Sequence, residues 1–409
     1  MWDRALKLAL NRLIRFGKLT VALPDGTEQT FGDGTGQSIR LTIHDSPTLR
    51  RLVLNPELAV GEAYMDGKLT IDGDDLRGFL ALALSNLNDP ARVWWQDAHH
   101  RLRAGTRRFM QNNVAALARR NVAHHYDLSG ELYDLFLDAD RQYSCAYFHH
   151  PHDTLEEAQA QKKAHIARKL RLSPGQHVLD IGCGWGGMAL TLAREHGVKV
   201  LGITLSKEQL QAARTRAKKA GLADKVDFQL IDYRDVGGTF DRIVSVGMFE
   251  HVGLPHFDSY FRALGTLLKP DGVALVHSIG MSEAPSATNP WIAKYIFPGG
   301  YVPSLSEMIA SVERQNLWIT DVECLRLHYA ETLHHWYDRF TSHADRVAEL
   351  YDERFVRMWK YYLASSEQAF RYRRQAVFQV QIARQVDAVP ITRDYLYSKG
   401  SREVLKAAE

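Results

Sequence analysis

The chain has 409 residues, 45% hydrophobic and 24% charged, enough for two or three domains with ordinary cores, which excludes disorder, collagen-like repeats and disulfide-held miniproteins. Its 51 basic and 48 acidic residues leave a net charge of +3, too little for general nucleic-acid binding unless the basic residues cluster. Cys145, Cys183 and Cys324 are the three cysteines, widely spaced and without a CxxC, so neither a disulfide framework nor a thiolate zinc site is supported and a reducing cytoplasm fits.

Residues 1–18 place Trp2, Leu6, Ala9, Leu10, Leu13 and Ile14 or Phe16 at helical spacing, with Arg4, Lys7, Arg12, Arg15 and Lys18 mostly on the other face. Two readings of this basic amphipathic helix stand: a first helix packed on the core with a solvated face, or one lying on an anionic lipid surface. Charges interrupt its apolar residues throughout, unlike a cleaved signal peptide. Alternating runs at 19–23 and 39–43, split by Pro24-Asp25-Gly26 and Gly32-Asp33-Gly34, predict strands and hairpin turns, and 63–71 repeats the pattern. A helical run at 76–87 closes a small α+β domain with no catalytic cluster. Its Phe79–Leu84 stretch is the longest apolar run, far short of the roughly 18–20 residues that span a bilayer, so membrane contact is peripheral. Between Asp97 and Asp127 there is no acid but six arginines, Arg101, Arg103, Arg107, Arg108, Arg119 and Arg120. This predicts a basic linker, either simply solvated or touching lipid phosphate.

From about residue 122, buried-strand candidates at 177–181, 198–203, 226–231, 242–246 and 273–277 alternate with helical patterns. Such alternation predicts an α/β fold: a mostly parallel, doubly wound sheet with ligands at the carboxyl ends of its strands. The tail at 353–385, rich in aromatics and arginine, predicts one long helix. The boundaries are then 1–98, a linker at 99–121, and 122–409 with a carboxy-terminal helical segment.

Val178 to Gly187 runs from a strand into a glycine loop and a helix. Glycines let backbone approach a ligand, and the helix N-terminus offers free N–H donors. The spacing is GxGxG with Asp180 two residues before Gly182. The dinucleotide fingerprint is GxGxxG with an acid about 20 residues later, and that acid is missing. A ribose must then use Thr204 and Gln209 after the second strand, while Asp232 and Tyr233 after the third can hold an adenine by hydrogen bond and stacking. These features favour S-adenosylmethionine over a nicotinamide.

The segments Tyr143-Ser144-Cys145-Ala146-Tyr147-Phe148, Leu179 to Gly187, Gly202 to Ser206 and Ser245-Val246-Gly247-Met248-Phe249-Glu250-His251-Val252-Gly253 resemble the cyclopropane-fatty-acyl-phospholipid synthases. His124-His125-Tyr126-Asp127-Leu128, Leu275-Val276-His277-Ser278-Ile279, Trp291 to Pro298 and Trp336-Tyr337-Asp338-Arg339-Phe340 extend the likeness over nearly all of the chain after about residue 120. The resemblance implies a Rossmann-like class I S-adenosylmethionine-dependent methyltransferase domain behind a smaller α+β lipid-engaging domain. It also implies methylene transfer from S-adenosylmethionine to the cis double bond of an acyl chain in a membrane phospholipid, with bicarbonate as the base. By motif, bicarbonate falls to Cys145, Glu250, His277, Ile279 and Tyr329. Cofactor contacts fall to Tyr143, Ser144, Asp180, Gly182, Cys183, Gly184, Thr204, Gln209, Asp232 and Tyr233. The implied partners are unsaturated membrane phospholipids and an anionic membrane surface at the cytoplasmic face, with a homodimer as the assembly and no nucleic acid or metal. The family often carries a cysteine after a Tyr-Tyr-Leu run; here Tyr361-Tyr362-Leu363-Ala364-Ser365 leads to Ser366, which excludes a cysteine nucleophile there.

Each of these residues also has a plain structural reading: Cys145 as a small buried apolar residue, Glu250 as a cap or ion-pair partner, His277 as a satisfied core histidine, and the aromatics as packing. Two other functions compete. One keeps the cofactor and the lipid alkene but ends at a methyl or methylene branch; the other is a lipid-binding protein whose methyltransferase-like half is inactive.

Overall fold

The computed structural model describes residues 1–87 and 129–397. The expected linker at 99–121 and the motif at 124–128 lie outside them. In chain order the elements are α1 (Trp2–Leu13), β1 (Lys18–Ala22), β2 (Glu28–Phe31), β3 (Ser38–Ile43), α2 (Ser46–Leu54), α3 (Pro56–Met65), β4 (Leu69–Ile71) and α4 (Leu76–Asn86). Then come α5 (Gly130–Phe136), α6 (Leu155–Leu170), β5 (His177–Ile181), α7 (Gly187–His196), β6 (Lys199–Thr204), α8 (Lys207–Lys219), β7 (Val226–Leu230), β8 (Phe240–Val246), α9 (Phe257–Leu267) and β9 (Leu268–Met281). The last are α10 (Pro290–Tyr295), α11 (Leu305–Glu313), β10 (Trp318–Leu325), α12 (His328–Ser342), α13 (Ala344–Leu350), α14 (Glu353–Tyr372) and β11 (Gln375–Ala383). Among the described residues, no helix is long and apolar enough to cross a membrane.

By residue contacts the chain forms two packing units, and they are not contiguous in sequence. One joins the amino-terminal residues to Ala287–Pro298 and Tyr329–Gln375; the other holds the residues between, with Ala376 onward. The expected boundary at 98–122 therefore does not separate the α14 helix from the amino-terminal elements. The reason is packing: α14 buries Trp359, Tyr361, Tyr362 and Leu363 and meets α3 and α4.

In this first unit a four-stranded sheet runs β2-β1-β3-β4. β1 and β2 form the expected hairpin, whereas β3 returns parallel to β1, so the Gly32–Gly34 stretch is a crossover and not a hairpin turn. A second correction concerns 63–71: only 69–71 is strand, because Pro56 opens a helix that continues to Met65. Ala63, Tyr64 and Met65 are buried in succession, as a helix wedged between neighbours requires and a half-buried strand does not. Gly61 faces Trp291 so closely that an added Cβ would lie 2.5 Å from the indole. The helix expected over 1–18 is shorter, since α1 ends at Leu13 and Lys18 already opens β1; Leu6 is buried, as is Ile14 just beyond the helix, while Leu8, Phe16 and the five basic side chains of 1–18 are exposed.

The second unit is a seven-stranded sheet, order β10-β11-β9-β8-β5-β6-β7. β9, β8, β5, β6 and β7 pair in parallel and β10 with β11 antiparallel. Adjacent residues enter opposite cores: Val178 and Val244 pack with Ile166, Leu170 and Leu192, while Leu179 and Ile243 pack with Phe249, Phe261 and Leu264. Both faces are thus covered, which is why these strands read as continuous apolar runs. The long tail helix predicted at 353–385 is corrected here. It ends at Tyr372, the chain turns extended at Arg373, and β11 lies between β10 and β9. β11 is buried on both faces, although Phe378-Gln379-Val380-Gln381-Ile382 alternates apolar and polar residues, the period of a strand and not of a helix.

Candidate active site

β5 and β8 lie side by side, and the strands that follow each of them leave in opposite directions, which makes a crevice at their carboxyl ends. Past Ile181 the chain turns through Gly182, Gly184 and Gly186 at φ of +81°, +53° and +86° into α7. A Cβ at 186 would lie 2.7 Å from the Phe228 ring, whereas at Gly184 nothing stands within 4 Å; that side of the loop opens to the pocket. The N–H groups of Gly182 and Cys183 donate to the Ile203 carbonyl at 3.0 and 2.9 Å, tying the loop to β6.

All ten residues assigned to the cofactor line this one pocket: Tyr143, Ser144, Asp180, Gly182, Cys183, Gly184, Thr204, Gln209, Asp232 and Tyr233. Thr204 Oγ1 donates to Gln209 Oε1 at 2.8 Å. The Asp232 carboxylate is held bidentately by Arg234 Nε and Nη2 at 2.8 and 2.7 Å, so its charge is already neutralised on the protein side. Burial pushes the Tyr233 hydroxyl up to about 12, leaving a neutral ring. Asp180 is 2% exposed, and its Oδ2 has no protein partner. Burial pushes its carboxyl up to about 7, against the pull of Lys162 and the Ala189 N–H. A buried acceptor without a partner beside an open glycine loop fits a cationic nucleoside ligand. Sequence reasoning passed over Arg141, Gln142, Trp185, Met248 and His251, which also line the pocket. Only His251 had a signal, its place beside Glu250; burial brings its imidazole down to about 4, so it is neutral.

Four of the five residues assigned to the base share the second unit. Glu250 sits in a short turn after β8, 8% exposed. Its Oε1 accepts the Ile279 N–H at 2.6 Å, while Oε2 is buried without a partner. Burial pushes the carboxyl up to about 7, although Ile279 and Ser278 oppose this. His277, on β9, is 2% exposed. The Gln379 amide donates to its Nδ1 at 3.1 Å, which places the proton of the neutral ring on Nε2, and Nε2 has no partner. Burial first, then the cationic side chains Lys162 and Lys169, hold this imidazole well below its ordinary value. Cys145 is buried, its Sγ donating to the Ala146 carbonyl at 3.2 Å. The Ile279 N–H expected at the anion is thus engaged by Glu250, and the Ser278 hydroxyl donates to the Ile279 carbonyl at 2.9 Å. Tyr329 falls in the other unit, packed edge-on to Trp336 at 5.8 Å and against Phe370 at 4.9 Å. Gln379 went unread because its segment was assigned to a helix.

Glu250 Oε2 and His277 Nε2 are thus both buried without a partner among the described residues, and Cys145, Glu250, His277 and Ile279 do not line the pocket that gathers the ten cofactor candidates.

Comparison with known proteins bears on both sites. The family model for mycolic acid cyclopropane synthetase matches residues 115–380, and a domain family of unknown function matches 6–90. A cyclopropane-fatty-acyl-phospholipid synthase of Escherichia coli is 41% identical over 341 residues, 83% of this chain and 86% of that one. A tuberculostearic acid methyltransferase of Mycobacterium tuberculosis is 37% identical over 398 residues, 92% and 91% of the two chains. Among solved structures, a mycolic acid cyclopropane synthase complexed with SAH and CTAB is similar at 32% identity and a TM-score of 0.61, covering 64% of this chain and 97% of that one. With the glycine loop, the pocket at the strand ends and a family match that spans both, the chain belongs to the mycolic acid cyclopropane synthetase family.

Proposed function

We propose that the protein is a cyclopropane-fatty-acyl-phospholipid synthase, which moves a methylene from S-adenosylmethionine onto the cis double bond of an acyl chain in a membrane phospholipid. The observation that carries this reading is the pair of buried, unpartnered atoms Glu250 Oε2 and His277 Nε2, in the unit whose sheet edge forms the glycine-loop pocket. When bound, S-adenosylmethionine supplies a methyl carbon electrophilic enough for an isolated alkene to attack, and bicarbonate supplies an oxygen base for the proton released on ring closure.

The chain's own residues do the rest. Asp180 and the Thr204–Gln209 pair orient the nucleoside. Glu250, protonated at Oε2, and His277, protonated at Nε2, donate to the anion and keep it beside the reacting carbons without adding net charge. Cys145, the third side chain assigned to the anion, is buried with its Sγ donating to the Ala146 carbonyl. Water is excluded by this depth of burial, which protects an electron-deficient carbon from capture. Exposed basic residues on α1 beside Leu8 and Phe16 support peripheral binding to an anionic cytoplasmic membrane face; the homodimer rests on the resemblance alone.

The test is incubation of pure protein with a mono-unsaturated phospholipid and labelled cofactor, followed by mass spectrometry of the fatty esters. A gain of one CH2 that resists hydrogenation is expected. A product that takes up hydrogen, or one that has gained CH4, supports the second reading, a methylene or methyl branch, which the likeness to a tuberculostearic acid methyltransferase favours. Alkylation of water-soluble acceptors alone overturns both.

A further inference from the structure

The segment between α5 and α6 contributes Arg141 to Ser144 to the pocket wall and contains no helix or strand. Its shape is therefore set by side-chain bonds and not by a backbone ladder. α6 provides them. Gln159 Nε2 donates to the Gln142 and Ser144 carbonyls at 3.2 and 2.9 Å. Lys162 Nζ donates to Gln142 Oε1 at 2.7 Å and to Ser144 Oγ at 2.8 Å. Lys162 is 0% exposed, an ammonium wholly withdrawn from water, which is strongly unfavourable unless opposite charge stands near. That charge comes from Asp138, which also accepts the Gln142 N–H at 2.7 Å, and from Asp180, whose strand face is the one that packs on α6. A methionine would fill the same space without the desolvation, and the effect of the cation on His277 is secondary to burial, which is the first cause of that imidazole's neutrality.

We propose that Lys162 is a positioning residue for the cofactor: its ammonium locks the Gln142 and Ser144 side chains into the pocket wall and supplies the countercharge that keeps Asp180 ionised for a cationic ligand. This rests on the cofactor reading of the pocket. The titratable groups facing Asp180 are Lys162 from α6 and Cys183 from the loop, with the Ala189 N–H from α7. Those facing Lys162 are Asp138, Asp140, Cys145 and Lys163, together with Asp180 and His277. Burial brings Lys162 down to about 8 and Asp180 up to about 7, so at neutral pH the ammonium is charged and Asp180 sits at its midpoint, where loss of a countercharge shifts its ionisation most. Without the ammonium, Asp180 rises further and is protonated there.

Calorimetric titration of the full chain with S-adenosylhomocysteine, compared between wild type and Lys162→Met across pH, tests this; the ligand's own amino group titrates alike in both. At pH about 7 the variant is expected to bind about 10-fold or more weakly, and by pH about 9, where Lys162 is neutral in the wild type and Asp180 ionises in either protein, the ratio shrinks to about 3-fold or less. A ratio that does not change with pH, or no loss at all, overturns the proposal. A wild type that fails to bind at any pH overturns the cofactor reading instead. Should Lys162→Met not fold, Asp180→Asn decides: its affinity is expected to fall about 10-fold at pH about 8 and little at pH about 6. An Asp180→Asn protein that matches the wild type at the higher pH overturns the coupling.

Discussion

In the unit that contains the amino-terminal residues, Glu62 is 5% exposed, yet its oxygens are occupied by Lys294 Nζ at 2.6 Å, the Tyr295 hydroxyl at 2.8 Å and Arg51. Glu367 is buried there too: its Oε1 receives Arg371 at 2.9 Å and His334 at 3.3 Å, and its Oε2, which accepts no hydrogen bond among the described residues, has the Arg77 guanidinium at 3.7 Å. At the carboxyl edge of the large sheet, Asp180, Glu250 and His277 are buried as deeply, and each keeps one polar atom without a protein partner. Leaving such an atom unpaired costs about 1–3 kcal/mol, and at the sheet edge, unlike at Glu62 and Glu367, no ion pair with Glu250 offsets that cost among the described residues. The difference lies at the sheet edge and not in the whole second unit, because Glu323 in that same unit is paired with His165 at 2.6 Å and Lys169 at 2.5 Å.

The sharpest attempt to break this comparison is Glu250→Gln. The amide keeps a donor at that position but cannot exchange its proton with the anion, so ring formation is expected to fall by about 100-fold or more, with S-adenosylhomocysteine affinity and melting temperature nearly unchanged, because no protein partner is lost at Oε2. A large drop in melting temperature would place Glu250 with the structural carboxylates.

Glu323→Gln is expected to do the opposite. It strips a paired charge from Lys169, which is buried and otherwise 4.0 Å from Asp321, and destabilises the fold by about 3 kcal/mol in denaturant titrations at neutral pH. Burial raises Glu323, but His165 and Lys169 outweigh it and hold the carboxyl at about 2. With a folded value below the ordinary one, its stabilisation is present above the ordinary carboxylate range and is lost as pH falls toward 2. The gap between wild type and Glu323→Gln should close over that interval, and a gap constant in pH would refute the pairing.

Gly184→Ala tests the loop. A side chain at φ +53° costs about 1–2 kcal/mol, and its methyl enters the pocket; cofactor affinity measured by calorimetry should fall about 10-fold. The smallest effect belongs to Glu62→Gln. Lys294 and Arg51 are about half exposed and return to water, so a loss of about 1 kcal/mol is expected with turnover per folded molecule unchanged.

Much of the large sheet was legible because motif and environment coincide there. The run Val178 to Gly187 needs apolar residues on both faces of a strand and glycines at positive φ, and both requirements are written in residue types. Glu250 and His277 were legible for the same reason, each ending an apolar run. Lys162 and Gln379 were not. Lys162 looks like any basic residue of a charged helix until the irregular segment carrying Gln142 and Ser144 is laid against it. Gln379 sits in a strand whose short alternating run, Phe378 to Ile382, follows within a few residues of a long helix rich in aromatics and arginine and reads as its continuation.

The amino-acid sequence by itself determined the α/β alternation, the glycine loop with its pocket residues, and the carboxylate and imidazole at the strand ends, because these follow from local backbone geometry and short-range pattern. Tertiary structure alone decided which helices pack with the amino-terminal elements, which buried polar atoms are paired, and which cation stands beside Asp180. Those outcomes depend on the desolvation and pairing of groups far apart along the chain, and no local pattern encodes which of them will meet.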